Sequence, residues 1–188
     1  LKDNTGRIND TIRYGRLKPV ALYHGAEPRA SVRYTLSGSS SIKASYTHNL
    51  QYIHLASLSS VSLPTDIWMP STDVISPQIG DQYALGYFRN FADNKYESSV
   101  EVYYKTMKNQ IEYEDGALPS DNVRDNVDAY FVFGNGWSYG LELFFKKSIG
   151  KLNGWIGSTW SKTERQFEAI NFNEPFPAKF DRRHDLSM

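Results

Sequence analysis

The residues with the most obvious chemical potential lie near the end of the sequence, where His184 is followed by Asp185. The histidine could act as a general base and the carboxylate could orient it. Catalysis also needs a nucleophile within hydrogen-bonding distance, and the sequence contains no clear candidate. Neighbouring residues of an extended strand also point to opposite faces. We therefore interpret the pair as the polar start of a strand, expect Arg182 and Arg183 to pair with acidic side chains of adjacent strands, and predict no catalytic residue.

An acidic segment in the second half of the chain carries the oxygen ligands that Ca²⁺ prefers. Its spacing is not that of an EF-hand loop, so a hydrated surface loop is the better interpretation. His24, His48 and His54 are scattered along the chain and do not suggest a shared metal ion. We predict no metal site and no cofactor. The acidic residues are Glu112, Glu114, Asp115, Asp121, Asp125 and Asp128.

The loop from Leu63 to Pro70 has an apolar tip formed by Trp68 and Met69. These side chains could stack on a sugar ring or on an aromatic ligand, or they could pack onto their own loop and order it. The sequence leaves both interpretations open. Trp68 and Met69 are the predicted ligand-binding residues.

The composition excludes several classes of protein. Of the 188 residues, 21 are basic and 21 are acidic, so the net charge is zero and the positive surface that nucleic-acid binding requires is not expected. There is no cysteine, which excludes disulfides, cysteine-ligated zinc and a thiol nucleophile. The longest apolar run, from Ala129 to Phe133, is far shorter than the roughly 18 residues of a membrane-spanning helix.

Alternation of apolar and polar residues is the dominant pattern, and it predicts β-strands rather than helices. In one clear case, Val100, Val102 and Tyr104 would share one face of a strand while Glu101 and Lys105 share the other. Similar runs on either side of short turns predict three hairpins. The sequence therefore predicts an all-β, antiparallel protein.

Short and long connections alternate along the chain. Because alternate connections of an antiparallel sheet fall at opposite ends, all the short turns should lie at one end and all the long loops at the other. A transmembrane β-barrel has this asymmetry, whereas a compact domain rarely carries several long loops. The turns are centred on Gly38, Asn94 and Gly150, and the long links run from about 49 to 80, 112 to 135 and 168 to 178.

Seven strands are predicted, the last beginning near Lys179, with an eighth if the stretch from Lys18 to Tyr23 is extended. An eight-stranded barrel would fit in this length, but the chain supplies only about a third of a barrel of about 22 strands. Aromatic residues lie on or near the ends of the apolar faces, as in the girdles of membrane barrels and equally as in the core of a β-sandwich. They include Tyr34, Tyr46, Tyr83, Tyr87, Tyr104, Trp137, Phe145 and Trp160.

Several segments carry turn and strand motifs that match a known family. They are EPRASVRY from Glu27, LPTDIWMP from Leu63, DQYALGYF from Asp81, GWSYGLE from Gly136, GKLNGW from Gly150, SKT from Ser161 and FDRRHD from Phe180. In these segments, and in their order from about Arg16 onward, the chain resembles the TonB-dependent receptors of Gram-negative outer membranes, in the carboxypeptidase-regulatory-like subgroup. The motifs identify the barrel rather than its ligand.

The resemblance implies a barrel of about 22 strands, with a plug domain folded inside it, in the outer membrane of a Gram-negative bacterium. Such receptors take up a scarce ligand, often a siderophore-iron complex, a glycan or a peptide, and an inner-membrane complex supplies energy by pulling on a short N-terminal box. We expect residues 1–188 to be part of one such barrel domain, from the C-terminal half, with the plug domain and the TonB box absent. The long loops would then lie outside the cell, with Trp68 and Met69 on one of them, and the short turns in the periplasm.

The implied partners are outer-membrane lipid, the plug and remaining strands of the same receptor, and the TonB complex through the missing N-terminal part. The resemblance also allows a surface lipoprotein lid, and it implies no nucleic acid. We expect a transporter and not an enzyme. Two other hypotheses remain from the residues: a small eight-stranded outer-membrane barrel acting as an adhesin or anchor, and a soluble carbohydrate-binding β-sandwich.

Overall fold

The computed structural model describes residues 15, 18, 19, 21–56, 67–114 and 131–188, and in this part the chain is an antiparallel, all-β structure. The prediction of the fold class is thereby confirmed. None of the helical turns among the described residues has the length and apolar character needed to cross a membrane.

One large sheet contains most of the strands. Its order is β1, β2, β5, β6, β7, β8, β10, so strands that follow one another along this path are neighbours, and the short β9 pairs with β8. Strands β3 and β4 pair with each other as a separate hairpin. The strands are β1 Arg29–Ser37, β2 Ser40–Gln51, β3 Ile53–Ala56, β4 Ile67–Pro70, β5 Gln78–Phe91, β6 Tyr96–Tyr113, β7 Phe131–Lys147, β8 Gly154–Phe167, β9 Phe176–Pro177 and β10 His184–Ser187.

The register of the sheet separates two chemically different faces, as the alternation predicts. Residues directly opposite each other on neighbouring strands lie on the same face. The apolar face contains the cross-strand row Val32, Ala44, Leu85, Val102, Leu141 and Trp160. The polar face contains the row Arg33, Lys43, Gly86, Glu101, Glu142 and Thr159.

Two rows of aromatic side chains border the apolar face. The first consists of four tyrosines in direct register, Tyr46, Tyr83, Tyr104 and Tyr139, of which the first two have ring centroids 5.1 Å apart. The second includes Phe91 opposite Tyr96, next to the stacked pair of Tyr96 and Phe145. Between these rows the apolar face is mostly Ala, Val, Leu, Ile and aromatic residues.

The connections have the predicted asymmetry. Residues 38–39, 92–95 and 148–153 form short links at one end of the large sheet, which we call the turn end. The chain leaves the sheet at the other end, the loop end, after Gln51, Tyr113 and Phe167. The second turn is tight because Ala92, Asp93 and Asn94 all adopt left-handed conformations, which Asp and Asn tolerate better than most residues.

The loop end is more ordered than the sequence predicts. The strands continue to Gln51, Tyr113 and Phe167 before the loops begin, and the first loop folds back as the β3–β4 hairpin. This hairpin packs against the loop end of the sheet in a small buried cluster. Its members are Ala56, Met69, Ile75, Ile111, Tyr113 and Phe131.

One predicted strand start is wrong, and the conditional eighth strand does not form in the described residues. The described residues from Lys18 to Tyr23 form no strand. The last strand begins at His184 and not near Lys179, because the chain turns between Ala178 and Asp181. A carboxylate oxygen of Asp181 accepts the backbone N–H of Thr163 at 2.7 Å, which holds this turn against β8.

Close packing across the polar face depends on a glycine at position 140. The Tyr103 ring lies over Gly140, so a Cβ atom there would come 2.7 Å from Tyr103 Cε1 and 2.8 Å from the carbonyl oxygen of Trp160. The tyrosine ring can rotate away, but the carbonyl oxygen belongs to the sheet. By contrast, a Cβ atom at Gly154 would have no atom within 4 Å.

We predict opposite effects of the same substitution at these two strand glycines. Gly140→Ala should destabilise the folded sheet by about 1–3 kcal/mol through steric strain, whereas Gly154→Ala should be neutral or stabilising by up to about 1 kcal/mol because it restricts the unfolded chain. Urea titration of the purified protein in detergent measures both. Equal stability of the two variants would contradict the close contact at position 140.

Candidate functional site

The candidate site is a pocket at the loop end of the polar face, which we call the loop-end pocket. Strands β5, β6 and β8 form its floor, and the β3–β4 hairpin forms one wall through Leu55 and Ala56. It encloses about 310 Å³, at the lower limit of small-molecule sites.

A bulge in β6 shapes the pocket. The register of β6 against β7 shifts between Met107 and Gln110, where Asn109 adopts a left-handed conformation. The Asn109 side chain donates a hydrogen bond to the carbonyl oxygen of Pro77 at 2.8 Å, and Gln110 donates one to the side chain of Gln78 at 3.2 Å. These bonds attach the end of β6 to the start of β5, so the floor of the pocket is fixed.

A group of three charged side chains lies in the pocket. The Glu112 carboxylate pairs with Lys179 through one oxygen and with the Arg165 guanidinium at 3.4 Å through the other. Glu112 comes from β6, Arg165 from β8 and Lys179 from the turn before β10, so only the folded sheet brings them together.

Two cationic side chains of the pocket have N–H groups without a hydrogen-bond partner among the described residues. Arg165 Nε is buried without a hydrogen-bond partner among the described residues. Lys105 also lines the pocket and has no hydrogen bond or ion pair within the described part of the chain. Glycines make room for both side chains: Lys105 Cε lies 3.5 Å from where a Cβ of Gly80 would be, and Arg165 Cγ lies 3.5 Å from that of Gly136.

The two predicted ligand-binding residues face in opposite directions. Trp68 is 68% exposed and lies opposite Leu55 on the outer side of the β3–β4 hairpin. Met69 is buried on the inner side, opposite His54, in the cluster beneath the hairpin. Trp68 is therefore available for contact, whereas Met69 packs its own loop onto the sheet. Binding of a ligand by either residue stays a prediction.

The charged residues near the end of the chain have structural roles. His184 and Asp185 lie in consecutive positions of β10, opposite Trp160 and Thr159. Arg183 interacts electrostatically with Glu164 of the adjacent strand β8, but its ion pair is with the Asp181 carboxylate, to which its Nε donates at 3.0 Å. That pairing is local, since both residues belong to the turn that Asp181 fixes on β8.

The predicted acidic loop is only partly described by the structure. Glu112 belongs to β6 and is neutralised by two cations, so it is not free to coordinate Ca²⁺. Among the residues that the structure describes, no three His, Asp or Glu side chains come together as a metal site. The remaining members that lie outside the described residues are Asp115, Asp121, Asp125 and Asp128.

The apolar face has polar clusters at its loop end. The Asp81 carboxylate accepts a hydrogen bond from the Tyr46 hydroxyl at 2.7 Å and lies 2.8 Å from His48 Nδ1. Further along the same row, the Trp137 indole N–H donates to Glu164, which also pairs with Lys162. The apolar face therefore becomes polar just beyond the row of four tyrosines.

The fold is shared with a chain of the FpvAI–pyocin S2 complex. The TM-score is 0.57 and the sequence identity is 16%, over 90% of this chain and 21% of that chain. This chain thus spans about a fifth of the length of the chain that it matches. No protein-family model matches the sequence, and no curated protein does either.

The pocket residues were not apparent from the sequence. Lys105 was predicted only to lie on the polar face, and Arg165 and Lys179 carried no motif. Residues 112, 165 and 179 are far apart along the chain, and they meet because of the register across β6, β7 and β8 and the turn before β10. The sequence offered one signal for this site: Glu112 and Arg165 are charged residues near the loop ends of the long strands β6 and β8.

The hairpin that forms the pocket wall depends on a neutral histidine. The His54 side chain is fully buried, its Nε2 lies 2.9 Å from Ser71 Oγ, and its Nδ1 has no partner among the described residues. Burial lowers the pKa of His54 below its usual value. A charged ring would therefore be unfavourable in this position.

We predict that the hairpin loosens in acid. Because the folded-state pKa lies below the unfolded one, the stabilisation is complete above the unfolded pKa of about 6.5 and is lost as the pH falls through the folded pKa. Hydrogen exchange of the amides of 53–56 and 67–70 should accelerate between pH 7 and pH 5, after correction for the intrinsic rate. In His54→Gln, which cannot become charged, this acceleration should disappear; the same acceleration in both proteins would contradict the role of His54.

Proposed function

We propose that this chain is part of the β-barrel of an outer-membrane TonB-dependent receptor, and that its polar face lines the passage through which the receptor takes up a ligand. The observation that carries the proposal is the two-faced sheet: one face is apolar between two aromatic rows, and the other is charged. Such a sheet suits a wall between lipid and water.

The exposure of the apolar face supports the lipid contact. Its large side chains are between 38% and 68% exposed, although they are the side chains that folding would normally bury. An exposed apolar surface of this extent requires a covering partner. The residues in this range include Val32, Tyr34, Tyr83, Leu85, Tyr87, Val100, Val102 and Tyr104.

The height of the apolar band also fits a bilayer. Tyr83 and Phe91 mark its two borders on β5 and lie about 27 Å apart along the strand, at roughly 3.4 Å per residue. With a strand tilt of about 40°, the band would be about 20 Å tall, close to the roughly 25 Å of outer-membrane barrels. Tyrosines at the border suit the interface because the ring is apolar and the hydroxyl is polar.

The side chains of the polar face are suited to contact with water. Glu101 and Glu142 are direct cross-strand neighbours, and neither forms an ion pair or side-chain hydrogen bond within the described residues. Two like charges in this position repel each other unless water or cations surround them. A lumen filled with water or with polar protein surface satisfies this requirement.

The comparison with known structures supports the receptor assignment at the level of the fold. FpvAI is a TonB-dependent receptor, and its complex with pyocin S2 contains a chain that shares this fold over 90% of the present one. The sequence motifs point to the same family. Together they favour a large receptor barrel over an eight-stranded barrel or a β-sandwich.

The finer parts of the proposal follow from the family resemblance. The receptor would lie in the outer membrane of a Gram-negative bacterium, contain a plug domain, draw energy from the TonB complex and import a siderophore-iron complex, a glycan or a peptide. The loop end would face the outside of the cell, so the loop-end pocket would meet the incoming ligand first.

We predict that lipid contact alternates along β6. Cysteines are introduced one at a time at positions 100 to 105 of the full-length receptor and are labelled with a nitroxide. The accessibility of each label to a lipid-soluble and to a water-soluble relaxing agent is then compared. The even positions should be accessible mainly to the lipid-soluble agent because Val100, Val102 and Tyr104 lie on the apolar face. The odd positions are the internal control, and equal accessibility at both sets would contradict the proposed membrane contact.

A further inference from the structure

The loop-end pocket has an excess of positive charge. Three cationic side chains line it, those of Lys105, Arg165 and Lys179, and Glu112 is the one carboxylate among the described lining residues. Since Glu112 already pairs with Arg165 and Lys179, the Lys105 ammonium is left without an anionic partner in the described part of the chain. A second anion in the pocket would offset part of this remaining positive charge.

The cationic side chains of the pocket suit an oxyanion better than a hydroxyl. The Arg165 guanidinium uses one nitrogen for Glu112, at a long 3.4 Å, while its buried Nε lacks a partner among the described residues. A guanidinium with free N–H groups forms its strongest hydrogen bonds with carboxylates and other oxyanions. Lys105 adds a second cationic donor on the same floor.

The remaining lining combines apolar walls with side-chain amides. Ala56 from the hairpin and Met107 from the floor are apolar, while Gln78 and Gln110 present amide groups. An apolar group next to a carboxylate would find complementary surface here. The lining would match less well a ligand that carries only hydroxyl groups, such as a neutral sugar.

We infer that the loop-end pocket binds a carboxylate attached to an apolar group, held by Lys105 and Arg165. This inference names a substrate class for the proposed uptake function and rests on it. The same chemistry occurs at the C-terminus of a peptide and in a free fatty acid. In both cases the ligand carboxylate competes with Glu112 for Arg165.

The test uses calorimetric titration of the full-length receptor in detergent with three probes. These are N-acetyl-Leu-Phe with a free carboxylate, the same dipeptide as its C-terminal amide, and octanoate. The free acid should bind at least about tenfold more tightly than the amide, as expected for about 1.4 kcal/mol from a charged hydrogen bond. Octanoate affinity equal to that of the peptide acid would assign the pocket to simple carboxylates, and weaker affinity would assign it to peptides; both support the inference.

Three variants separate binding from folding. Lys105→Gln should remove most of the preference for the acid over the amide, whereas Lys43→Gln, which changes a polar-face cation outside the pocket, should keep it. Glu112→Gln removes the competing carboxylate, so it should tighten binding of the acid and leave the amide unchanged. A gain in affinity cannot come from a damaged fold.

Equal affinity for the acid and the amide, or an undiminished preference in Lys105→Gln, would overturn the inference. Neither result would contradict the proposed receptor function if the accessibility of the labels on β6 still alternates between even and odd positions. Conversely, uniform labelling on β6 together with a clear preference for the acid would reject the membrane barrel and retain the pocket.

Discussion

The antiparallel register is the constraint on which the rest of the structure depends. Because side chains alternate between faces, a slip of one residue would place Glu101, Lys105 and Glu142 on the apolar face. The row of four tyrosines and the closely packed pair of Tyr103 and Gly140 exist only in the observed register. The same register places Glu101 directly opposite Glu142 on the polar face.

The length of the strands explains how one sheet carries both an apolar band and a pocket. Strands β6 and β7 run far beyond the tyrosine row toward the loop end, further than a bilayer requires. Beyond that row the chain must pack against itself, and the only buried cluster among the described residues forms there, beneath the β3–β4 hairpin. The loop-end pocket lies between this hairpin and the sheet, so hairpin docking and pocket shape are coupled.

The sequence predicts those parts of the fold that depend on local alternation. The faces of Val100 to Lys105, the turns at Gly38 and Asn94 and the asymmetry of the connections are all local patterns, and the structure confirms them. The start of β10 was misplaced because it depends on Asp181, whose carboxylate bonds to the backbone of a different strand. No pattern near Lys179 shows that contact.

The candidate site was harder to predict because its residues meet through pairings across several strands. Trp68 was identified from its apolar character in a polar loop, but Met69, its neighbour, faces the protein interior. Glu112 was assigned to a hydrated acidic loop, whereas the strand continues through it and places its carboxylate between Arg165 and Lys179. Counting charged residues along the sequence could not show which of them share a pocket.

The proposed receptor function requires that the sheet cross the outer membrane with its loop end outside the cell. Single cysteines at position 172, where Phe172 is almost fully exposed at the loop end, and at position 94 in a turn-end link test it directly. On intact cells, a membrane-impermeant maleimide should label the cysteine at 172 and not the one at 94, and both should react once the outer membrane is permeabilised. Labelling of position 94 on intact cells, with position 172 protected, would contradict the account.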